Sequence, residues 1–247
     1  MREKTVEILD SLSWSVQPQI GFITGDYYRE EGWFAPHRGG SKDFYGVLEA
    51  VQQEGKLQMV EFNEFNSPVY YIQKYQNANK RYSDYGFLQA GRERTAATRV
   101  VLVNGISYVE EQMLRENRLD GKFDLLTGAS NSIKESMLVL AELIAGQLRQ
   151  PSGKKYYGLA KKVEPGVTGR LQVVVEKGKI ISCFYDEIFA DSPDEIENDE
   201  LKPYYRQSKY YSLDYVSDYP CGFNALFDMW REHVLKCQNL LDLKGLR

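Results

Sequence analysis

The residues with the most evident chemistry form a loop of hydroxyl groups and small side chains, Asp124-Leu125-Leu126-Thr127-Gly128-Ala129-Ser130-Asn131-Ser132. Apolar residues at helical spacing follow from Ile133 to Leu148, so the loop should lead into a helix. Ser132 and Glu135 have the spacing of a capping box, which predicts that the helix begins at Ser132. Backbone N–H groups at a helix N-terminus bind anions, and Gly128 and Ala129 leave room for a ligand to approach. The loop is therefore a candidate phosphate site, with a plain serine-rich helix cap as the alternative interpretation.

The composition is that of an ordinary globular protein. The 247 residues suit one large domain or two small ones, and 43% of them are hydrophobic. The net charge of −4 and the isoelectric point of about 5.4 argue against nucleic acid as the main partner, because nucleic-acid-binding proteins usually carry a basic face. No stretch reaches the roughly 18 apolar residues that a membrane span needs.

Cysteine and histidine are too sparse to suggest a disulfide framework or a metal site. The three cysteines, Cys183, Cys221 and Cys237, form no CxxC pair, and the two histidines, His37 and His233, are far apart in the chain. No metal ligand is therefore expected. The first residues lack the apolar core of a signal peptide, so the sequence as written predicts a soluble, cytoplasmic protein. A leader ahead of this sequence would instead place the protein at the cell surface.

The two halves of the chain share a pattern of aromatic, glycine and acidic residues at a constant offset of 123 positions. Trp33-Phe34 matches Tyr156-Tyr157, Gly55 matches Gly178, and Phe62-Asn63-Glu64 matches Tyr185-Asp186-Glu187. Alternating apolar residues on both sides of each glycine predict a β-hairpin with the glycine in its turn. The pattern predicts an α+β fold made of a tandem repeat, each copy having a hairpin and helices on its own antiparallel sheet.

Helices are expected after each hairpin. A long helix should run from about Ala96 to Asn117, and its counterpart from Phe223 to Leu241. Nearly every residue from Met137 to Ala145 is apolar, which predicts a helix buried on most sides. The second half ends before any counterpart of that helix. We therefore expect a lead-in segment at 1–27, with a short helix around Val6 to Leu12, a complete repeat at 28–150 and a truncated repeat at 151–247.

A stretch rich in tyrosine also occurs twice, now at an offset of 129. Tyr75 to Ser83 matches Tyr204 to Ser212. The stretch is basic as well as aromatic, which is compatible with nucleic acid binding. Because the whole chain is acidic, we favour the exposed face of a helix as its role.

The loop and the repeat together resemble the FMN-binding domain family, which includes the flavin-carrying subunits of sodium-pumping and related electron-transfer complexes. The family pattern is a hairpin with a glycine–lysine turn, a strand that ends in an acidic pair, helices, and then the motif D-x-x-[ST]-G-A-[ST]. Here the motif is Asp124-Leu125-Leu126-Thr127-Gly128-Ala129-Ser130. The resemblance covers residues 28–148 fully and 152–242 in part.

The resemblance implies an electron-transfer protein that carries FMN and works with a redox partner protein. The flavin phosphate would be held by Asp124, Thr127, Gly128, Ala129, Ser130 and Ser132. In the family the last hydroxyl of the motif can be esterified to the phosphate, so Ser130 would be the attachment point, although threonine is usual there. Non-covalent FMN and absence of FMN are the alternatives. The flavin would do the electron chemistry, so no catalytic residue is assigned.

A second interpretation belongs to a different class of protein, a flavin-free duplicated scaffold that binds a small ligand or a protein partner. The second half lacks the loop, so only the first half could carry the flavin site. It also lacks the last helix, which should leave an apolar sheet face for the first half or a second copy of the chain to cover. A homodimer is compatible with this expectation. A flavin-dependent reductase is disfavoured, because no catalytic acid, base or nicotinamide fingerprint is present.

Overall fold

Six antiparallel strands form one continuous sheet in the order β3-β2-β1-β4-β5-β6. The computed structural model describes residues 14–34 and 44–243, so the short helix expected near Val6 lies outside the described residues. The strands are β1 (Gly21–Phe34), β2 (Phe44–Gln53), β3 (Lys56–Asn66), β4 (Lys154–Glu164), β5 (Val167–Glu176) and β6 (Lys179–Phe189). The fold class is α+β, as expected. The expectation of a separate sheet in each half is wrong, because β1 and β4 pair across the two halves.

Helices follow the hairpin in each half. The described residues contain α1 (Tyr85–Ala90), α2 (Glu93–Thr98), α3 (Leu102–Glu116), a composite helix α4 and α5 (Phe223–Cys237). Helix α4 spans 130–147 and joins an α-helical turn, Ser130–Ser132, a π-helical segment, Ile133–Met137, and an α-helix, Leu138–Gln147. Single turns of 3₁₀-helix occur at Gln73–Tyr75, Pro193–Glu195 and Lys202–Tyr204. No helix in the described ranges is both long and apolar enough to cross a bilayer.

Two expected helix boundaries differ from the structure because a residue adopts a left-handed conformation. The helix expected from Ala96 is broken at Arg99, which has φ of 56° and ends α2 before α3 begins. The helix expected to reach Leu241 ends at Cys237, because Gln238 has φ of 58° and caps α5. A left-handed residue after the last turn is a common way for a helix to end.

The two hairpins have the same bounds and the same register once 123 positions are added to the first. Gln53 pairs with Lys56 at one turn, and Glu176 pairs with Lys179 at the other. Both hairpins turn through two residues with positive φ, the second of which is Gly55 or Gly178. This turn follows the right-handed twist of the strands, which explains the glycine. The register shifts lie at Val51/Gln52 and Val174/Val175.

The helices α3 and α5 are attached to their hairpins in the same way. Helix α5 begins 121 residues after α3 and has the same length. The amide of Asn117, at the end of α3, accepts a hydrogen bond from the backbone N–H of Leu57 at 2.8 Å. The amide of Gln238, at the end of α5, accepts one from Ile180 at 2.7 Å. Each bond fixes the end of a helix over the turn of its own hairpin.

The first strand of each half does not follow the offset of 123. Tyr27 pairs with Val51, and Tyr156 pairs with Val174, which lies 123 residues after Val51. Tyr27 and Tyr156 are therefore the corresponding residues of the two halves. The expected match of Trp33 with Tyr156 is therefore wrong. Eleven residues separate the paired residues Trp33 and Tyr45, whereas five separate Lys162 and Thr168. The longer connection in the first half shifts its first strand by this difference. β1 also begins at Gly21, inside the segment expected to be a lead-in.

The helices cover one face of the sheet, and they cover its two halves unequally. On the first half, α3 and α4 pack on β1, β2 and β3 around a large apolar cluster that includes Leu48, Phe62, Ile106 and Met137. On the second half, Trp230 and Val234 of α5 pack on β5 and β6. Helix α4 is less enclosed than expected, because Val139 and Leu143 on its outer side are 44% and 54% exposed.

The sheet curls strongly away from these helices. β3 and β5 are four positions apart in the strand order, which would place them about 19 Å apart in a flat sheet. Nevertheless, Arg170 of β5 donates to Glu61 of β3 over 2.5 Å. Asn79 forms an isolated bridge with Phe65 of β3, and Ser208 forms one with Ile188 of β6. The backbone N–H of Ser208 donates to the carbonyl of Tyr82 at 2.9 Å, which joins the two outer edges of the sheet. The two halves thus enclose a common interior.

Candidate functional site

The loop at Asp124 to Ser132 lies at the start of α4. Asp124 and Thr127 are exposed, and Gly128 has φ of 114°, which favours glycine. Ala129 is buried, and the helix begins at Ser130, two residues earlier than expected. Ser132 is thus already helical and makes no capping hydrogen bond, so the predicted capping box with Glu135 is wrong. The side chain of Ser130 lies outside what the structure describes.

The small residues of the loop contact the protein. A β-carbon on Gly128 would lie 2.8 Å from the hydroxyl oxygen of Thr98. A β-carbon on Gly105 of α3 would lie 2.4 Å from that of Ala129. The side-chain amide of Gln112 also donates to the carbonyl of Asp124 and accepts from its N–H, each over 2.9 Å. The space expected for a ligand beside Gly128 and Ala129 is therefore occupied by α2 and α3, which hold the loop in place.

A different site lies in the interior that the two halves enclose. Two cavities of about 300 and 230 Å³ meet there and share a wall made of Glu61, Tyr82, Tyr156 and Arg170. The larger cavity is mostly apolar and reaches α3, with walls that include Ile23, Met59, Leu114, Leu159 and Ala160. The smaller one is polar and includes Tyr27, Arg29, Glu49 and Gln172. None of the described side chains from 124 to 132 lines either cavity.

Two buried ion pairs meet at the shared wall. Arg170 of the second half bonds Glu61 of the first half, whose other carboxylate oxygen accepts a hydrogen bond from Tyr82 at 3.2 Å. Arg81 donates to Glu110 of α3 over 2.7 Å, and Glu110 also accepts from the backbone of Phe62 at 2.7 Å. These bonds satisfy carboxylates that would be costly to bury alone.

The pKa values of these groups are strongly displaced. Burial alone would raise the pKa of Glu61, but the charges of Arg170 and Arg81 outweigh it and lower that pKa to about 2. Burial and the nearby Glu61 charge instead raise the pKa of Glu49, which accepts a hydrogen bond from Tyr27. Burial also raises the pKa of Tyr156 to about 12. Glu61 therefore stays ionised at neutral pH, and the tyrosines keep their protons as donors.

The arginine of each ion pair has an Nε–H group that is not used as a donor within the described residues. Arg81 and Arg170 are only 9% and 6% exposed. Their Nε–H groups find no acceptor among the described residues, although both side chains line the larger cavity. A buried donor without an acceptor costs about 1–3 kcal/mol. An acceptor oxygen brought within reach of these atoms would remove that cost.

This site is not predicted from the sequence because the tyrosine-rich stretch is expected to form the exposed face of a helix. Arg81 and Tyr82 are buried and lie in a turn, so that assignment is wrong. The side chain of Asn79 shapes the turn by accepting from the N–H groups of both residues at 2.9 and 2.8 Å. An asparagine that bonds the backbone two and three residues later is typical of such turns. Asn79 with arginine and tyrosine two and three residues later was the available signal.

Comparison with known proteins gives no functional identification. No protein-family model matches the chain, and no curated protein matches it. Among solved structures it is similar to the CPE2226 protein from Clostridium perfringens, with a TM-score of 0.36 and 19% sequence identity. That similarity covers 51% of this chain and 90% of the other. The resemblance to FMN-binding domains therefore stays a prediction.

Proposed function

We propose that this protein is a duplicated scaffold that binds a small, largely apolar molecule in the cavity between its halves. The ligand carries a carbonyl or carboxylate oxygen that accepts from Arg81 and Arg170. The observation that carries the proposal is a mostly apolar cavity lined by two buried arginines whose Nε–H groups find no acceptor among the described residues. Pockets that combine apolar walls with a few convergent polar groups are the usual form of small-molecule sites.

The duplication is part of the same proposal. Equal strand bounds, equal register shifts and equal helix attachments at offsets of 123 and 121 residues support descent of the halves from one unit. The cavity belongs to neither unit alone, since Glu61 and Arg170 come from different halves. Duplication would thus have created the site.

The experiment is a fluorescence titration with anilinonaphthalene sulfonate, whose aromatic rings and sulfonate oxygens match the cavity. Ala160 is buried and lines the larger cavity, so the longer side chain of Ala160→Leu should project into it and remove one binding site per chain. Arg115→Gln, on the exposed side of α3, is the matched control and should bind like the wild type. Wild-type binding in an Ala160→Leu protein that melts as one cooperative unit would refute the proposal.

A second candidate function is FMN binding at the loop from Asp124 to Ser132. It is favoured by the exposed Thr127 hydroxyl beside Gly128, one turn before a helix of 18 residues. Its test is the visible spectrum of the protein purified with FMN and the family's flavin transferase, recorded before and after acid precipitation. A yellow precipitate that Ser130→Ala abolishes would establish covalent flavin. Colour confined to the supernatant would indicate bound but free flavin, and a colourless protein would eliminate this candidate.

A further inference from the structure

Three side chains with metal-binding atoms meet at the end of α5. His233 and Cys237 lie one turn apart on the helix, and the chain then reverses through Gln238 and brings Asp242 back to them. One ligand atom from each residue can be chosen so that all three lie within 4.8 Å of one another. No metal ligand was expected from the sequence, because its cysteines and histidines are few and far apart in the chain.

The spacing fits a tetrahedral metal ion. Zn²⁺ binds nitrogen, sulfur and oxygen at about 2.0–2.3 Å, which places neighbouring ligand atoms about 3.3–3.6 Å apart. His233 Nε2 and Asp242 Oδ2 are 3.4 Å apart. The thiol of Cys237 is exposed, so its side chain can turn toward the other two without leaving a packed position.

The histidine nitrogen also needs a partner. His233 Nε2 is buried and forms no hydrogen bond with any described residue. Its separation from Asp242 exceeds the usual hydrogen-bond length, yet it equals the distance between two ligands of one ion. A metal ion beside His233 Nε2 would give this nitrogen a partner.

The first half shows what this position on the helix does. Gln112 of α3 lies 121 residues before His233, and its amide holds the returning chain by both the N–H and the carbonyl of Asp124. His233 faces the returning chain of the second half but makes no such amide bonds. In the second half the side chain at this helix position, His233, instead faces the carboxylate of Asp242 at 3.4 Å.

We propose that His233, Cys237 and Asp242 bind a divalent transition metal ion, for which Zn²⁺ best fits the donor set. The ion takes three protein ligands and leaves a fourth position for water. Cys237 binds as the thiolate and releases its proton to solvent. The bound ion fastens residues 239–243 to α5, and this segment carries Leu240, which packs near Trp230.

The experiment uses Co²⁺, which replaces Zn²⁺ and has absorption bands that report its ligands. Titration of the reduced full-length protein should produce visible bands typical of tetrahedral Co²⁺ and a sulfur-to-metal charge-transfer band. Cys237→Ser should abolish the charge-transfer band. Cys221→Ser, which removes the other exposed cysteine, should leave the spectrum unchanged.

Affinity for Zn²⁺, measured by competition with the bound Co²⁺, gives the second test. His233→Gln and Asp242→Asn should each weaken binding by at least about tenfold. Absence of a charge-transfer band in the wild type, or its persistence in Cys237→Ser, would overturn the proposal. Equal Zn²⁺ affinity in wild type and both ligand variants would also overturn it. Zn²⁺ should in addition slow amide exchange at 239–243 in the wild type and leave it unchanged in Cys237→Ser.

Discussion

The two halves of this molecule contain nearly identical hairpins, but helices bury the two hairpins to very different extents. In the first half, α3 and α4 bury the sheet, and Tyr28 is only 4% exposed. In the second half, no described segment occupies the position of α4, and the corresponding Tyr157 is 42% exposed. The halves keep the same backbone because register, turns and helix attachment are local. The additional helix that covers the first hairpin, α4, has no counterpart among the described residues of the second half. Shared architecture therefore does not imply a shared surface.

The halves depend most on each other at the ion pair between Glu61 and Arg170. Arg170→Met should lower the free energy of unfolding by about 3–5 kcal/mol, because it leaves a buried carboxylate without its partner. Adding Glu61→Leu should restore most of the loss. Urea unfolding of the two variants measures this, and equal stability of the single variant and the wild type would show that the halves do not rely on this pair.

The unequal cover of the halves can be tested at one strand position. Tyr28→Ala should cost about 3–4 kcal/mol, because it empties a packed site and removes the hydrogen bond to the carbonyl of Gln150 at 2.8 Å. Tyr157→Ala, its counterpart, should cost less than about 1 kcal/mol. Thermal unfolding of both variants gives the comparison. Equal losses would mean that the sheet face of the second half is covered after all.

A third difference between the halves concerns charge. Asp186 lies 123 residues after Asn63 and is fully buried, and burial raises its pKa to about 7. Between pH 4 and 7 the folded state therefore holds a proton that the unfolded chain has lost, so stability should fall as pH rises through this window. Asp186→Asn should remove about 2–3 kcal/mol of that fall. Parallel pH profiles of unfolding for variant and wild type would contradict this.

The smallest expected effect concerns the start of α4, a helix without a counterpart among the described residues of the second half. Ser132 makes no capping hydrogen bond. Ser132→Ala should therefore change stability by no more than about 0.5 kcal/mol. A loss of 1 kcal/mol or more, which is typical of a removed cap, would restore the capping box that the sequence predicted.

The sequence predicted the hairpins well because their determinants are local. The glycine in each turn and the alternation of apolar residues specify both strands and their register, and these agree with the structure at Gly55 and Gly178. The first strand of each half was misaligned because a connection of different length precedes β2 and β5. Periodicity within a strand carries no information about the length of the connection beside it.

The site could not be predicted in the same way because its members meet only through the curl of the sheet. Glu61 and Arg170 are 109 residues apart, and nothing local to either specifies the other. The loop from Asp124 attracted attention because its motif is contiguous. The structure uses its small residues to pack against Gly105 and Thr98, a role that a sequence motif cannot distinguish from ligand binding.

One measurement tests the central claim most directly, namely that the interior between the halves is the binding site. The protein is purified without added ligand, and the small molecules released by acid are identified by mass spectrometry for wild type, Ala160→Leu and Thr127→Ala. We predict a partly apolar molecule with a carbonyl or carboxylate group that wild type and Thr127→Ala retain in equal amount and Ala160→Leu does not. FMN retained by wild type and Ala160→Leu but lost from Thr127→Ala would contradict the account and place the site at the loop.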